Sequence, residues 1–401
     1  MRLNVTPRRS VFKDESKLDI NYLPSRLPHR ERELRLLMEF FDFLLRFPER
    51  MAQRVIITGD VGTGKTALAQ RFGADITSEA NKKGMRLRCV HVNCREYRGN
   101  LLLILQYAVS VFRPTFPKRG FSAEEILSTM TQCLDEDNAY AILVLDEFDS
   151  LVEREGSDAV YKLTRLQEMR PGRPQRISLL GIIRDLALLD KLDASARSTL
   201  QRNVIRLETY SEPQLVDILN DRVAMAFEPS VVFEETVSLV AEMAHSESGS
   251  ARFAIELLWR AGKYADAEDA VLVSPECVRQ AVSSIFPTMK KAELASLGLH
   301  EKLFLLGVAR FFKESENAYA SLIDVEKAYA VVCEEFGETP SSHSQVWKYA
   351  QFFSNLGFLR TQVASMVTRG RSTRVSLPSI PAVELERELL ANLNKERDAK
   401  T

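Results

Sequence analysis

The sequence predicts an α/β domain built on a parallel sheet with helices on both faces, then a helical domain, then a C-terminal winged helix-turn-helix. Three observations carry that expectation. A strand, a glycine-rich turn and a helix start follow one another across residues 54–72. Short apolar runs alternate with helical stretches as far as residue 207, the pattern of a sheet buried on both faces. Residues 290–401 read as three helices followed by a hairpin.

Taken in order, residues 1–20 are polar and mixed in charge, with Arg8-Arg9 and Asp14-Glu15, and read as a flexible arm. Beyond the prolines at 24 and 28, a helix over about 29–47 sets Leu34, Leu37, Met38, Phe41 and Leu44 on one face, which marks that face as core. Strands are expected at 54–58, 88–93, 141–145, 178–183 and 204–207. After Tyr210 the strand pattern stops: Ser211 with Gln214 three residues later makes a capping box, and further helices are expected at 232–245, 251–265 and 274–282. The last section reads as helices at 300–312, 322–335 and 342–355, then two strand-like runs around Arg369-Gly370-Arg371. The domains so drawn are an arm (1–20), a sheet domain (21–208), a helical domain (209–289) and a winged helix (290–401).

Gly59-Asp60-Val61-Gly62-Thr63-Gly64-Lys65-Thr66 matches G-x-x-x-x-G-K-[ST] in full, between the apolar Val55-Ile56-Ile57 and the helical Ala67-Leu68-Ala69. Such a loop aims backbone N–H groups and a helix N-terminus at phosphates; Lys65 reaches the β- and γ-phosphates and the Thr66 hydroxyl ligates magnesium. The expected ligand is ATP or ADP with Mg2+. A second apolar run, 141–145, ends in Asp146-Glu147-Phe148-Asp149. Asp146 is placed to hold the metal and Glu147 to take a proton from an attacking water, a division of labour suited to hydrolysis.

With 401 residues, 45% hydrophobic and 27% charged, the chain is long enough for several cores. A net charge of −1 excludes a global field that would draw in nucleic acid or anionic membrane, so any such binding needs a local patch. Five cysteines without C-x-x-C spacing argue against a disulfide framework and a zinc ribbon. No apolar run reaches membrane-span length and the first residues lack a signal core, so a cytoplasmic protein without a membrane partner is expected. The local patch lies at 341–383, where no Asp or Glu occurs while Lys348, Arg360, Arg369, Arg371 and Arg374 do. On the helix at 342–355, Val346, Tyr349, Ala350 and Phe353, with Leu356 just beyond, face the core and leave Ser344, Lys348, Gln351 and Asn355 outward to meet DNA, with Arg369, Arg371 and Arg374 on the wing.

In order along the chain, Tyr22-Leu23-Pro24 with His29-Arg30-Glu31, G-D-V-G-T-G-K-T, D-E-F-D, Gly249-Ser250-Ala251-Arg252 and the winged helix together resemble the archaeal replication initiators. These are related to the eukaryotic origin recognition complex and the cell-division-control loader, within the AAA+ ATPases. The resemblance implies an AAA+ sheet domain with a helical lid, and Tyr22, Pro24, Arg30 and Arg252 at the nucleotide, Arg252 as the lid's sensor of the γ-phosphate. It implies double-stranded origin DNA, the replicative helicase and other initiator subunits as partners, and a nucleoid location. Two positions depart from the pattern. Arg184 precedes Asp185 where an asparagine is usual, and Ser195 stands where an arginine finger often does, with Arg197 a displaced candidate. An arginine cannot accept a hydrogen bond from water, so slow, regulatory hydrolysis is expected. The stretch 95–120, with Arg95, Arg98, Arg113, Lys118 and Arg119, falls where initiators carry an inserted DNA-contacting helix. Two other readings stay open: a promoter-binding or signalling ATPase, and a winged helix that binds only protein.

Overall fold

A computed structural model describes residues 10–117, 119–164, 172–285, 291–315, 317–365 and 371–398. The chain divides into two compact units: Leu23–Tyr210 with Gly249–Arg252, and Met1–Tyr22 with Ser211–Ser248 and Phe253–Thr401.

The first unit is built on five parallel strands, β1 (Arg54–Gly59), β2 (Arg86–Asn93), β3 (Ala139–Asp146), β4 (Ile177–Ile182) and β5 (Val204–Leu207), in the order β2-β3-β4-β1-β5. Every residue of β3 is buried, which is why Ala139–Asp146 is an unbroken apolar run rather than an alternating one. One face of the sheet packs Ile57, Val144 and Ile182 under the helices Glu31–Arg46 and Lys65–Lys82, through Leu37, Phe41, Leu68 and Phe72. The other face packs Ile56, Leu143 and Leu145 under Leu101–Phe112 and Ala123–Glu136, through Ile104, Leu105, Ile126 and Met130. The first of these last two helices lies inside the stretch expected to hold an insertion. β1, β3 and β4 all end at one edge of the sheet, where open α/β sheets place their ligands.

The second unit holds four lid helices, Glu212–Ala226, Glu234–Glu247, Ala251–Ala267 from its third residue, and Pro275–Ile285. It also holds a winged helix made of Leu299–Glu314, Leu322–Phe336 and His343–Asn355, with β6 (Tyr319–Ser321), β7 (Arg360–Ser365) and β8 (Arg371–Ser376) in the order β6-β8-β7. A helix absent from the sequence reading, Ala382–Asp398, sets Leu385, Leu389 and Leu393 into the same core.

The expectation of a flexible arm meets a docked segment from Ser10 onward. Val11 and Leu18 are buried, a 3-10 turn forms at Glu15–Leu18, and Phe12 packs its ring 4.8 Å from Phe227. Asp266 accepts hydrogen bonds from the Ser10 hydroxyl and the Val11 amide. Three apolar residues spaced among charges are too few to register in composition, yet they suffice to fasten the segment to the lid.

Candidate functional site

The loop after β1 folds as its glycines require. Gly62 and Gly64 sit at φ +82° and +89°, a region L side chains avoid, and Gly64 directly precedes the helix Lys65–Lys82. Inside the loop the buried Thr63 hydroxyl donates to the Asp60 carbonyl at 2.8 Å. Lys65 curls over it, its ammonium donating to the carbonyls of Gly59 and Asp60. Burial lowers the Lys65 pKa, while Asp146 and Asp149 pull in the opposite sense. Val61 and Thr66 are exposed and Ala67 half-buried at the head of the helix.

Gly62 has a second role that only the fold reveals. A Cβ there would lie 1.9 Å from the Ser250 hydroxyl, and the Ala251 amide donates to the Gly62 carbonyl at 3.2 Å. The start of the lid helix Ala251–Ala267 is thus seated on the phosphate loop, two residues from Arg252. Arg252 is exposed and has neither hydrogen bond nor ion pair among the described residues.

At the end of β3, burial would raise the Asp146 carboxyl, but hydrogen bonds from His91 and Thr66 outweigh it and hold the group below its ordinary value. His91 Nε2 lies 3.1 Å from Asp146 Oδ2. The Thr66–Asp146 contact brings together the two hard oxygen donors that a magnesium ion takes from this kind of loop, and these residues fit that ion. Glu147 adopts φ +48°, its amide bound to Asp146 Oδ1 at 2.9 Å. Its carboxylate is approached by Arg95 at 3.7 Å on one oxygen and Arg184 at 4.0 Å on the other.

Arg30 behaves differently from a ligand-facing arginine. Only 5% exposed, it donates twice to the Thr63 carbonyl, at 3.1 and 3.0 Å, and once to Glu208 at 2.6 Å, with its guanidinium 4.0 Å above the Tyr210 ring. It braces the phosphate loop against the end of β5. Pro24 is buried in the same unit; Tyr22 belongs to the other, its ring between Lys17 and Arg222.

On the winged helix, Ser344, Lys348 and Asn355 are exposed and make no partner contact among the described residues. Gln351 is half-buried and reaches the Thr361 hydroxyl at 3.4 Å. Arg374 is exposed with its guanidinium 5.2 Å over the Tyr319 ring. Arg371 opens β8, and Arg369 lies outside the described residues. Arg360 is committed elsewhere: with Tyr319 and Gln362 it bonds the buried Glu242 of the lid, at 2.8, 2.9 and 3.3 Å. Arg113, offered as a DNA contact, pairs with Glu136 and Asp137 instead.

Sequence reading missed His91, Asp149 and Trp347. His91 and Asp149 act through register and turn geometry, which no local pattern encodes. Trp347 carried a visible signal: an apolar residue off the core stripe, found 47% exposed beside Lys348.

Three domain families match the chain: an AAA domain at residues 50–192, a Cdc6 AAA+ ATPase-type lid domain at 216–283, and a CDC6 C-terminal winged helix domain at 292–385. The chain is 32% identical over 395 residues to the ORC1-type DNA replication protein 2 of Sulfurisphaera tokodaii, covering 97% of this chain and 94% of that one. Among solved structures it is similar to Cdc6p from Pyrobaculum aerophilum, at 31% identity and a TM-score of 0.81 over 96% of this chain and 100% of that one. It is also similar to the Aeropyrum pernix ORC1 protein in complex with DNA, at 29% identity and a TM-score of 0.62 over 96% and 98%.

Proposed function

The chain belongs to the family of ORC1-type DNA replication proteins, and from that premise we propose that it is an ATP-switched initiator that binds double-stranded origin DNA and helps recruit or load the replicative helicase, with other initiator subunits. The observation that supports the switch is the seating of Ser250 and Ala251 on Gly62, next in the chain to Arg252, which has no partner among the described residues. A triphosphate held by that loop would meet Lys65 from the sheet side and Arg252 from the lid helix, so its γ-phosphate would bias the lid. Thr66 and Asp146 would hold Mg2+, which when bound supplies charge neutralisation between the β- and γ-phosphates. Glu147 would accept the proton of the attacking water. Arg30 holds the loop in shape from behind.

On DNA, Lys348 and Arg374 would meet phosphates, as would Arg369 and Arg371, basic residues of the same segment in a chain of net charge −1. Phosphate contacts there position the domain, and Asn355 or Gln351 on base edges would discriminate by about 1–3 kcal/mol per good bidentate pair. The membrane plays no part in this reading; among the described residues no helix is long and apolar enough to cross one.

Two measurements test it. Lys65→Ala should abolish tight nucleotide binding, since a lysine–phosphate pair at 4 Å near a protein surface is worth roughly 4 kcal/mol before desolvation; unchanged affinity would refute the site. Chromosomal mapping of the bound sites should concentrate at replication origins, and occupancy spread over many promoters would replace the initiator with a transcription regulator.

A further inference from the structure

Trp347 is a large apolar group on the face that the proposed function sets toward DNA. The helix His343–Asn355 follows Leu322–Phe336 across a turn opened by Gly337 at φ +72°, the arrangement in which the second helix of a helix-turn-helix enters the major groove. Val346, Ala350 and Phe353 are fully buried and fix which side of the helix faces the core. At helical spacing Trp347 falls between Ser344, three residues before it, and Gln351, four residues after it, on the outward side. It lies in the first half of the helix, the part that meets base edges.

A single exposed apolar side chain needs no explanation in itself. Trp347 differs in two respects. It is 47% exposed and its indole N–H has no acceptor among the described residues, whereas the N–H of the other tryptophan, Trp259, donates to Glu15 at 2.7 Å. It also stands beside Lys348 on a helix without a single carboxylate. Two acids that border the helix are engaged, Glu326 by His343 at 2.6 Å and Glu338 by His300 at 3.8 Å. That charge pattern suits a polyanion. In the major groove thymine shows a C5 methyl next to the O4 acceptor, while cytosine shows a bare C5 and an amino donor in the same place. An indole is the converse of thymine's edge, with an apolar ring to cover the methyl and one N–H to give to O4. Against cytosine the N–H would meet another donor and the ring would have no methyl to cover.

We propose that Trp347 is a specificity-determining residue that selects thymine at one position of each bound site, its ring on the C5 methyl and its N–H on O4. The inference rests on the reading of the winged helix as a DNA-binding surface. The experiment uses the full chain with Mg-ATP. A pool of random-sequence duplexes is selected by the parent, by Trp347→Ala and by Trp347→Phe, and the enriched sites are compared. The parent should fix thymine at a position where Trp347→Ala accepts any base, the rest of the site being shared. The parent's selected duplex is then made with deoxyuridine at that position, which removes the methyl group and nothing else. Binding by the parent should weaken about fourfold, the effect of one buried methyl group, while binding by Trp347→Ala should not change. Trp347→Phe, which keeps a ring and lacks the N–H, should still weaken on deoxyuridine but tolerate cytosine better than the parent does. A side chain this exposed does not hold the fold, so the three proteins should share a melting temperature. Equal weakening of parent and Trp347→Ala on deoxyuridine would assign the methyl to another residue and overturn the inference. Identical sites and affinities for parent and Trp347→Ala would overturn it too, and leave the indole to a protein partner. A parent that binds no duplex would sink the DNA reading itself, a separate failure that the selection exposes before any variant is compared.

Discussion

Glu242→Ala is the substitution whose cost the structure lets one work out most fully. The carboxylate is 3% exposed on the lid helix Glu234–Glu247 and accepts from Arg360 at 2.8 Å, the Tyr319 hydroxyl at 2.9 Å and Gln362 at 3.3 Å. Truncation removes the acceptor for all three. Breaking a buried ion pair by deleting one partner costs about 3–5 kcal/mol, because the survivor is left uncompensated. Arg360 keeps 32% of its side chain in solvent, so water recovers part of that and the lower end, about 3 kcal/mol, is expected. For a unit of this class each kcal/mol moves the melting midpoint by about 2–4 °C, giving a fall of roughly 6–12 °C. Calorimetry reads the midpoint, and hydrogen exchange should locate the loss in β6, β7 and the helix Glu234–Glu247. The pair Glu242→Leu with Arg360→Met should recover most of the loss, as apolar replacement of a buried pair is often neutral. A melting midpoint within 2 °C of the parent for Glu242→Ala, by the same scale, would show that the contacts are not made in solution.

Gly62→Ala adds a methyl 1.9 Å from the Ser250 hydroxyl at a left-handed φ, so it should weaken ATP binding and loosen the start of the lid helix while leaving DNA affinity intact, as titration and hydrogen exchange would show. Trp347 is one of two tryptophans; in a Trp259→Phe background its fluorescence should quench on adding duplex, and Trp347→Ala should weaken binding without altering the salt slope. Replacing Arg371 and Arg374 by alanine should flatten that slope by up to about two, at −0.9 per phosphate contact. For Tyr319, burial and then the Glu242 charge raise the phenol above its ordinary 10.0, with Glu212 adding and Arg374 opposing. A folded value above the unfolded one means that stability is whole below about pH 10 and is lost as pH climbs toward the folded value. Tyr319→Phe should remove that alkaline slope in pH-dependent unfolding.

The sheet domain was legible because its signals are local and mutually consistent. A short unbroken apolar run bounded by turn residues fits a strand covered on both faces, and the complete G-x-x-x-x-G-K-[ST] match between such a run and a helical pattern marks a phosphate loop. Boundaries moved by a residue or two, as at β2, which opens at Arg86 rather than residue 88. Ala382–Asp398 was missed although Leu385, Leu389 and Leu393 repeat at helical spacing, because ten acidic, basic and amide residues at 384–398 lower the mean hydropathy that draws attention to a core helix. The docking of Val11, Phe12 and Leu18 was illegible for another reason: what fixes them lies more than two hundred residues away, in Phe227 and Asp266.

That same separation decides how far the site could be read. Lys65, Thr66 and Asp146 were found because one loop and one strand end carry them. Their partners come from register: His91 stands beside Asp146 only because β2 pairs with β3 so that Asn93 lies opposite Asp146, and Ser250 touches Gly62 only because the lid helix begins there. The basic patch shows the same limit from the other side. Counting charges along 341–383 finds no acid, and on that count Arg360 is free for DNA. In the folded unit the acid is supplied by Glu242, from a helix a hundred residues earlier, and it takes Arg360 out of the basic patch while tying the wing to the lid. A linear charge count measures what a segment carries; what it presents depends on the elements packed against it. Glu242 thus joins Glu235, which accepts from the Ala318 amide, and Arg279, which donates to the Leu377 and Asn317 carbonyls, in tying the lid to the strands of the wing.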